Sequence, residues 1–232
     1  MYNYNKSLNT ASYIILSLSG LLFLVLIYLI SPRTVNPYKT YFIISFIIIC
    51  LLGIWAAINP GHCLRILNIQ TVKKKECNER KLQIIGHHPD CGEFSGHIFT
   101  YKNMKYCVGC TGLLTGGFLA VITCILYLIY GSMEIIFWAG FIMVLFSQLE
   151  LTVFNYEFKL VKFLSNMGLV WGSALILTGL LDYGNIFLGI YFLFLIVAWI
   201  FTRTMISEKN HYLICKNCLS VQKNLKKDKG DY

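Results

Sequence analysis

Six long apolar stretches occupy most of the chain and limit what it can fold into. Because a helix rises 1.5 Å per residue, about 20 apolar residues cross a hydrocarbon layer roughly 30 Å thick. The composition agrees, since 56% of the residues are hydrophobic and 13% are charged, which leaves few charges for a water-exposed surface. The sequence therefore predicts an integral membrane protein with the lipid bilayer as its solvent.

The apolar stretches predict an all-α, polytopic bundle of about six transmembrane helices. They cover residues 11–30, 41–58, 111–130, 135–153, 163–181 and 186–202. The boundary around 155–162 is blurred by apolar residues, so five spans with one segment lying in the membrane interface is the alternative. We expect one bundle over 1–205, which includes a polar loop at 60–110, and a basic tail over 206–232.

Positive charges predict the orientation, because cytoplasmic loops retain Lys and Arg. With six spans and an inside N-terminus, 18 of the 20 Lys and Arg residues fall inside, and Arg33 and Lys39 fall outside. We therefore expect a multi-pass protein of the cell membrane, with both termini, the long loop and the tail in the cytoplasm. Anionic lipid headgroups account for the basic residues beside the membrane, so nucleic-acid binding is not expected.

The long loop carries two pairs of metal-ligand residues. His88-x2-Cys91 is followed, after 15 residues, by Cys107-x2-Cys110, a spacing typical of zinc sites. Thiols in the reducing cytoplasm are rarely paired as disulfides, and thiolate with imidazole favours zinc. The sequence predicts a zinc-knuckle-like loop with these four ligands, and an Fe–S cluster is the alternative that the ligand types leave open.

Other His and Cys residues leave the ligand set open. His87 and His97 are close enough in sequence to replace His88. The tail carries His211-x3-Cys215-x2-Cys218. These residues form a second three-ligand cluster or are incidental. In a third alternative, Cys215 and Cys218 share one ion with Cys107 and Cys110. Two further cysteines, Cys50 and Cys124, lie in predicted helices and are expected to be small buried hydrophobic residues.

The third helix is expected to begin at Thr111, whose hydroxyl would cap the first free backbone N–H groups. Gly112, Gly116 and Gly117 then give this helix a small-residue face that allows close helix packing. Within the spans, Glu150 is the ionisable residue that stands out. We expect it to reach the interface, with Asn166 as a neutral partner.

The pattern His87-His88-Pro89-Asp90-Cys91, His97 and Cys107-x-x-Cys110-Thr111-Gly112 resembles that of uncharacterised small polytopic membrane proteins, mostly archaeal. These are distantly related to a domain-of-unknown-function family with a Cys-x-x-Cys-Thr-Gly signature. The resemblance covers about 26 residues closely and implies an integral membrane protein with a metal site. It implies no activity.

Three functions fit these residues. The leading hypothesis is a structural zinc site in a protein that assembles with, or binds, a protein partner at its cytoplasmic loop, because a closed four-ligand shell leaves no position for substrate. The alternative is a membrane-embedded zinc enzyme acting on a lipid or peptide, with Asp90 or Glu93 as general base. The third is thiol redox chemistry at a Cys-x-x-Cys pair. The residues do not decide whether the chain is an enzyme.

Overall fold

The computed structural model describes residues 2–30, 37–58, 95–102, 104–131, 134–150, 158–182, 186–204 and 206. Within these ranges the chain forms six helices and one small β-hairpin. The helices are α1 (Tyr2–Ile30), α2 (Lys39–Ile58), α3 (Val108–Tyr130), α4 (Glu134–Leu149), α5 (Lys159–Leu180) and α6 (Ile186–Thr204). A 3-10 turn (Ser95–His97) leads into strands β1 (Ile98–Tyr101) and β2 (Met104–Cys107). Each predicted apolar stretch corresponds to one of the helices.

Four of the described helices are long and apolar enough to cross a membrane, namely α2, α3, α5 and α6. The other two contain shorter apolar segments, Ile15–Ile30 in α1 and Ile136–Leu149 in α4. Large apolar side chains cover the outer faces of the helices, where they would be costly in water. The chain is therefore a helical membrane protein.

Helix α5 lies at the centre of the bundle and packs along both α3 and α4. Its contact with α3 is close, because a methyl group added at Gly112 would lie 2.5 Å from the carbonyl oxygen of Phe163, and one added at Gly116 would lie 2.6 Å from that of Met167. Gly117 faces Ile54 of α2 instead. The predicted small-residue face of α3 is confirmed, and it is shared between two neighbouring helices.

The helix ends meet at two opposite ends of the bundle. At one end, the last turn of α1 meets the first turn of α4, the last turn of α3 meets the residue two positions after α5, and α2 meets α6 near their starts. The contacts are Tyr28 with Phe137, Tyr127 with Asp182, and Phe42 with Gly189. The start of α3, the end of α4, the start of α5 and the end of α6 lie at the other end, which we call the hairpin end. Successive helices therefore run in alternating directions.

The hairpin differs from the expectation of one polar loop over 60–110. Strands β1 and β2 pair antiparallel, with Ile98 opposite Cys107 and Phe99 opposite Tyr106. The rings of Phe99 and Tyr106 stack with their centroids 5.4 Å apart, and cross-strand aromatic pairs stabilise a sheet. The turn includes Lys102 in the left-handed region, with φ 47°. The hairpin brings the chain directly to the first residue of α3.

Candidate functional site

Cys107 and Cys110 lie where the hairpin becomes a helix. Cys107 is the last residue of β2 and the N-cap of α3, and Cys110 lies in the first helical turn. The Cys107 side chain is 5% exposed, whereas Cys110 is partly exposed. Two cysteines separated by two residues at one chain turn are a common pair of metal ligands. The pair is thus suited to metal binding.

The expected start of α3 was three residues too late. Helix α3 begins at Val108, and its N-cap is Cys107, not Thr111. The Thr111 hydroxyl donates a hydrogen bond to the carbonyl oxygen of Cys107 at 2.7 Å, so it acts within the first turn. The helix starts earlier because β2 carries ordered chain to Cys107 and leaves no loop between strand and helix.

Most of the other predicted ligands lie outside the described residues. His87, His88 and Cys91 do, and so does the tail cluster of His211, Cys215 and Cys218. Among the residues that the structure describes, no group of three or more His, Cys, Asp or Glu side chains is placed to hold a metal ion. Any third ligand beside Cys107 and Cys110 would therefore come from residues outside the described ranges.

His97 is the one predicted alternative ligand within the described ranges. Its Nε2 atom lies 3.2 Å from Nζ of Lys162 in the first turn of α5. His97 immediately precedes Ile98, the strand partner of Cys107. The contact therefore ties the base of the hairpin to α5.

A buried ion pair lies at the same end of the bundle. Arg203 of α6 and Glu150, which directly follows α4, are 8% and 4% exposed, and Arg203 Nη2 lies 3.7 Å from Glu150 Oε2. The Ser165 hydroxyl joins them, since it accepts from Arg203 Nη2 at 2.9 Å and donates to Glu150 Oε2 at 2.8 Å. Buried charges are tolerated when they are paired and hydrogen-bonded in this way.

The remaining Arg203 N–H groups also have partners. Nη1 donates to the Ser147 hydroxyl at 2.9 Å and to the Ser147 carbonyl oxygen at 3.3 Å. Nε donates to Asn166 Oδ1 at 3.0 Å. One guanidinium therefore connects α4, α5 and α6. We call Arg203, Glu150, Ser147, Ser165 and Asn166 the arginine network.

The expectation for Glu150 needs correction. Its carboxylate is buried in the bundle, and its charged partner is Arg203, while Asn166 joins the network through Arg203. A sixth helix that ends at residue 202 predicts Arg203 in the cytoplasm, whereas α6 continues to Thr204 and includes Arg203. A sequence pattern indicates the burial of Arg203. Phe192, Ile196 and Trp199 recur at helical spacing, and this spacing places residue 203 on the same inward face.

Asn166 connects the arginine network to the cysteine pair. Its Nδ2 donates to the carbonyl oxygen of Lys162 at 2.7 Å. A methyl group added at Gly109, between the two cysteines, would lie 3.6 Å from Asn166 Nδ2 and 4.0 Å from Cys107 Sγ. The first turn of α3 therefore lies in contact range of the amide that binds Arg203.

Cys50 of α2 and Cys124 of α3 are buried at 4% and 0% exposure, as expected. They lie within apolar helices and away from the helix start that carries Cys107 and Cys110. Their burial confirms that they are small core residues.

Comparisons of the chain with protein-family models, curated proteins and solved structures give no match.

Proposed function

We propose that this chain is a six-span membrane protein that holds a structural zinc ion on its cytoplasmic face and uses this region for assembly or partner binding. Cys107 and Cys110 supply two ligands, and His88 and Cys91 complete the tetrahedron. Both termini lie in the cytoplasm. The observation that carries the proposal is the position of Cys107 and Cys110 at a helix N-terminus that directly follows a hairpin.

Two observations support six crossings. The described helices alternate in direction, so each has one end at the hairpin end of the bundle. Under this arrangement the three outward-facing connections contain two positive residues in total, Arg33 and Lys39, which both lie between α1 and the start of α2, as the insertion rule requires. The shorter apolar segments of α1 and α4 then cross beside α5 and α6, with some tilt or local thinning of the bilayer.

The close packing around Cys107 and Cys110 supports a structural role for the metal. The turn between the two cysteines lies close to Asn166, and Gly112 contacts the backbone of Phe163. A closed shell of thiolate and imidazole ligands leaves no coordination position for a substrate. Such a site fixes the position of the preceding loop against α3.

The hairpin supports the partner-binding role. Phe99 and Tyr106 form a stacked, partly exposed aromatic pair on it, and aromatic side chains are enriched at protein interfaces. Lys102 at the turn is exposed. A zinc ion bound at Cys107, at the base of this hairpin, would fix the orientation of the aromatic pair.

Metal analysis of the purified protein tests the proposal. We expect stoichiometric zinc in the wild type, loss of zinc in Cys107→Ser and Cys110→Ser, and full zinc in the control Cys50→Ala, which alters a buried thiol of α2. His88→Ala and Cys91→Ser should also lose zinc. A wild-type protein without bound metal would overturn the proposal.

A further inference from the structure

We infer that the arginine network sets the metal affinity of the cysteine pair, with Asn166 as the positioning residue between them. The inference rests on the proposed zinc site and adds a link between that site and the interior of the membrane bundle. In this arrangement, metal binding on the cytoplasmic face holds the end of α6 against α4 and α5.

The first step is the rigidity of Asn166. Its amide is held at both atoms, because Oδ1 accepts from Arg203 Nε and Nδ2 donates to the Lys162 carbonyl oxygen. The bond from the guanidinium is charge-assisted, and such bonds are about twice as strong as neutral ones. The side chain is thus fixed in one orientation by α5 itself and by α6.

The second step is the contact between Asn166 and the helix that carries the cysteines. A methyl group at Gly112 would lie 2.9 Å from Asn166 Cβ, and one at Gly109 would lie 3.6 Å from its Nδ2. The first turn of α3 therefore packs against both Cβ and the terminal amide of Asn166. The distance from Cys107 to Cys110 depends on this turn.

The third step is the precision that a zinc site requires. Metal–ligand distances must lie within about 0.2 Å of their ideal values. The first turn of α3 should therefore bind metal less tightly when it loses its contact with Asn166. Changes to residues that support metal ligands without touching the metal typically cost 10–100-fold in affinity. We expect a weakening in this range when Asn166 is truncated.

The coupling must act in both directions, because a linkage free energy is reciprocal. If the arginine network strengthens zinc binding, then zinc must strengthen the attachment of α6 through Arg203. The contact between Lys162 and His97 attaches the hairpin to the first turn of α5, next to the turn that carries Asn166. Both attachments end on the first two turns of α5.

The test is a zinc competition titration on the full-length protein in detergent, with Asn166→Ala and a matched control. Tyr127→Phe is the control, because it removes a 2.9 Å hydrogen bond from α3 to Asp182, which lies two residues after α5 at the opposite end of the bundle. We expect about tenfold or greater weakening for Asn166→Ala and wild-type affinity for Tyr127→Phe. The absorption spectrum of bound Co²⁺ should keep its thiolate bands in Asn166→Ala, since the ligands are unchanged.

A second variant guards against a folding defect. The double change Arg203→Met and Glu150→Leu removes both buried charges together, so it leaves no unpaired ion, and it should also weaken zinc binding. In the wild type, chelation of zinc should speed amide hydrogen exchange in the last turn of α6 more than in α1.

The outcomes separate the two proposals. If the wild type binds zinc and both variants bind it with unchanged affinity, the coupling is wrong and the zinc site stands. If Tyr127→Phe weakens binding as much as Asn166→Ala, the effect is general destabilisation and the coupling is again wrong. If the wild type binds no zinc, the proposed function fails and the coupling fails with it.

Discussion

Arg203 and Asn166 lie 37 positions apart in the chain and are joined by a 3.0 Å hydrogen bond from Nε to Oδ1. This bond connects the last turn of α6 to the second turn of α5. It places a buried guanidinium one side chain away from the helix turn that carries Cys107 and Cys110. The arginine network, which is the most polar part of the described bundle interior, and the candidate metal site therefore both lie at the hairpin end of the bundle.

Removal of the Glu150 carboxylate should strongly destabilise the bundle. In Glu150→Leu, Arg203 stays buried without its counter-charge, and breaking a buried pair in this way typically costs about 3–5 kcal/mol. Reversible unfolding in mixed detergent micelles would measure the loss. The double change Glu150→Leu with Arg203→Met should recover part of it, and a double variant that loses the sum of both single effects would contradict the prediction.

The close contact between α3 and α5 should not tolerate an added methyl group. We expect Gly112→Ala to destabilise the protein by about 1–3 kcal/mol, as overpacking usually does, because the methyl would lie 2.5 Å from the Phe163 carbonyl oxygen. Gly53→Ala is the matched control, since nothing lies within 4 Å of a methyl group there. Because Ala is the better helix former, the control should equal or exceed the wild type in unfolding assays.

Thiol reactivity should sort the described cysteines into two classes. Cys50 and Cys124 are buried in apolar helices, so they should resist a maleimide reagent in the folded protein with or without a chelator. Cys110, which is partly exposed, should become reactive after a chelator removes the proposed zinc ion, while Cys107 is 5% exposed and should react more slowly. Peptide-level mass spectrometry would measure each site. Full reactivity of Cys110 before chelation would favour a free dithiol over a metal site.

The proposed orientation of the bundle predicts opposite labelling of two exposed positions. Tyr130, at the end of α3, is 81% exposed, and Lys102 lies in the turn of the hairpin. In intact cells, a membrane-impermeant thiol reagent should label Tyr130→Cys, while Lys102→Cys should be labelled after the membrane is permeabilised. The reverse pattern would show that the N-terminus faces outward and that the distribution of Lys and Arg does not predict the orientation.

The helices were predictable because long apolar stretches have few alternatives in a membrane. Every backbone polar group must be satisfied internally there, and the Gly112 and Gly116 face follows from the same constraint. Burial of Cys50 and Cys124 was predictable for a similar reason, since both lie within apolar runs.

The hairpin and the arginine network were harder to predict. Ile98 to Cys107 is short and flanked by polar residues, so its strand pairing depends on contacts that spacing does not show. Arg203 has the composition of a loop residue, and charge rules assign such residues to the water phase. Its burial depends on Glu150, which is distant in sequence, and on three hydrogen-bonding side chains that single-residue rules do not combine.

The central position of α5 has a consequence for how the chain enters the membrane. This helix is the least apolar and the most buried of the four that could span, and it carries Ser165, Asn166, Ser173 and Thr178 on surfaces that its neighbours cover. An isolated α5 would expose these groups to lipid, where polar side chains oppose insertion. Helices α3 and α4 are synthesised first and cover much of this surface. We therefore expect α5 to leave the insertion machinery together with them.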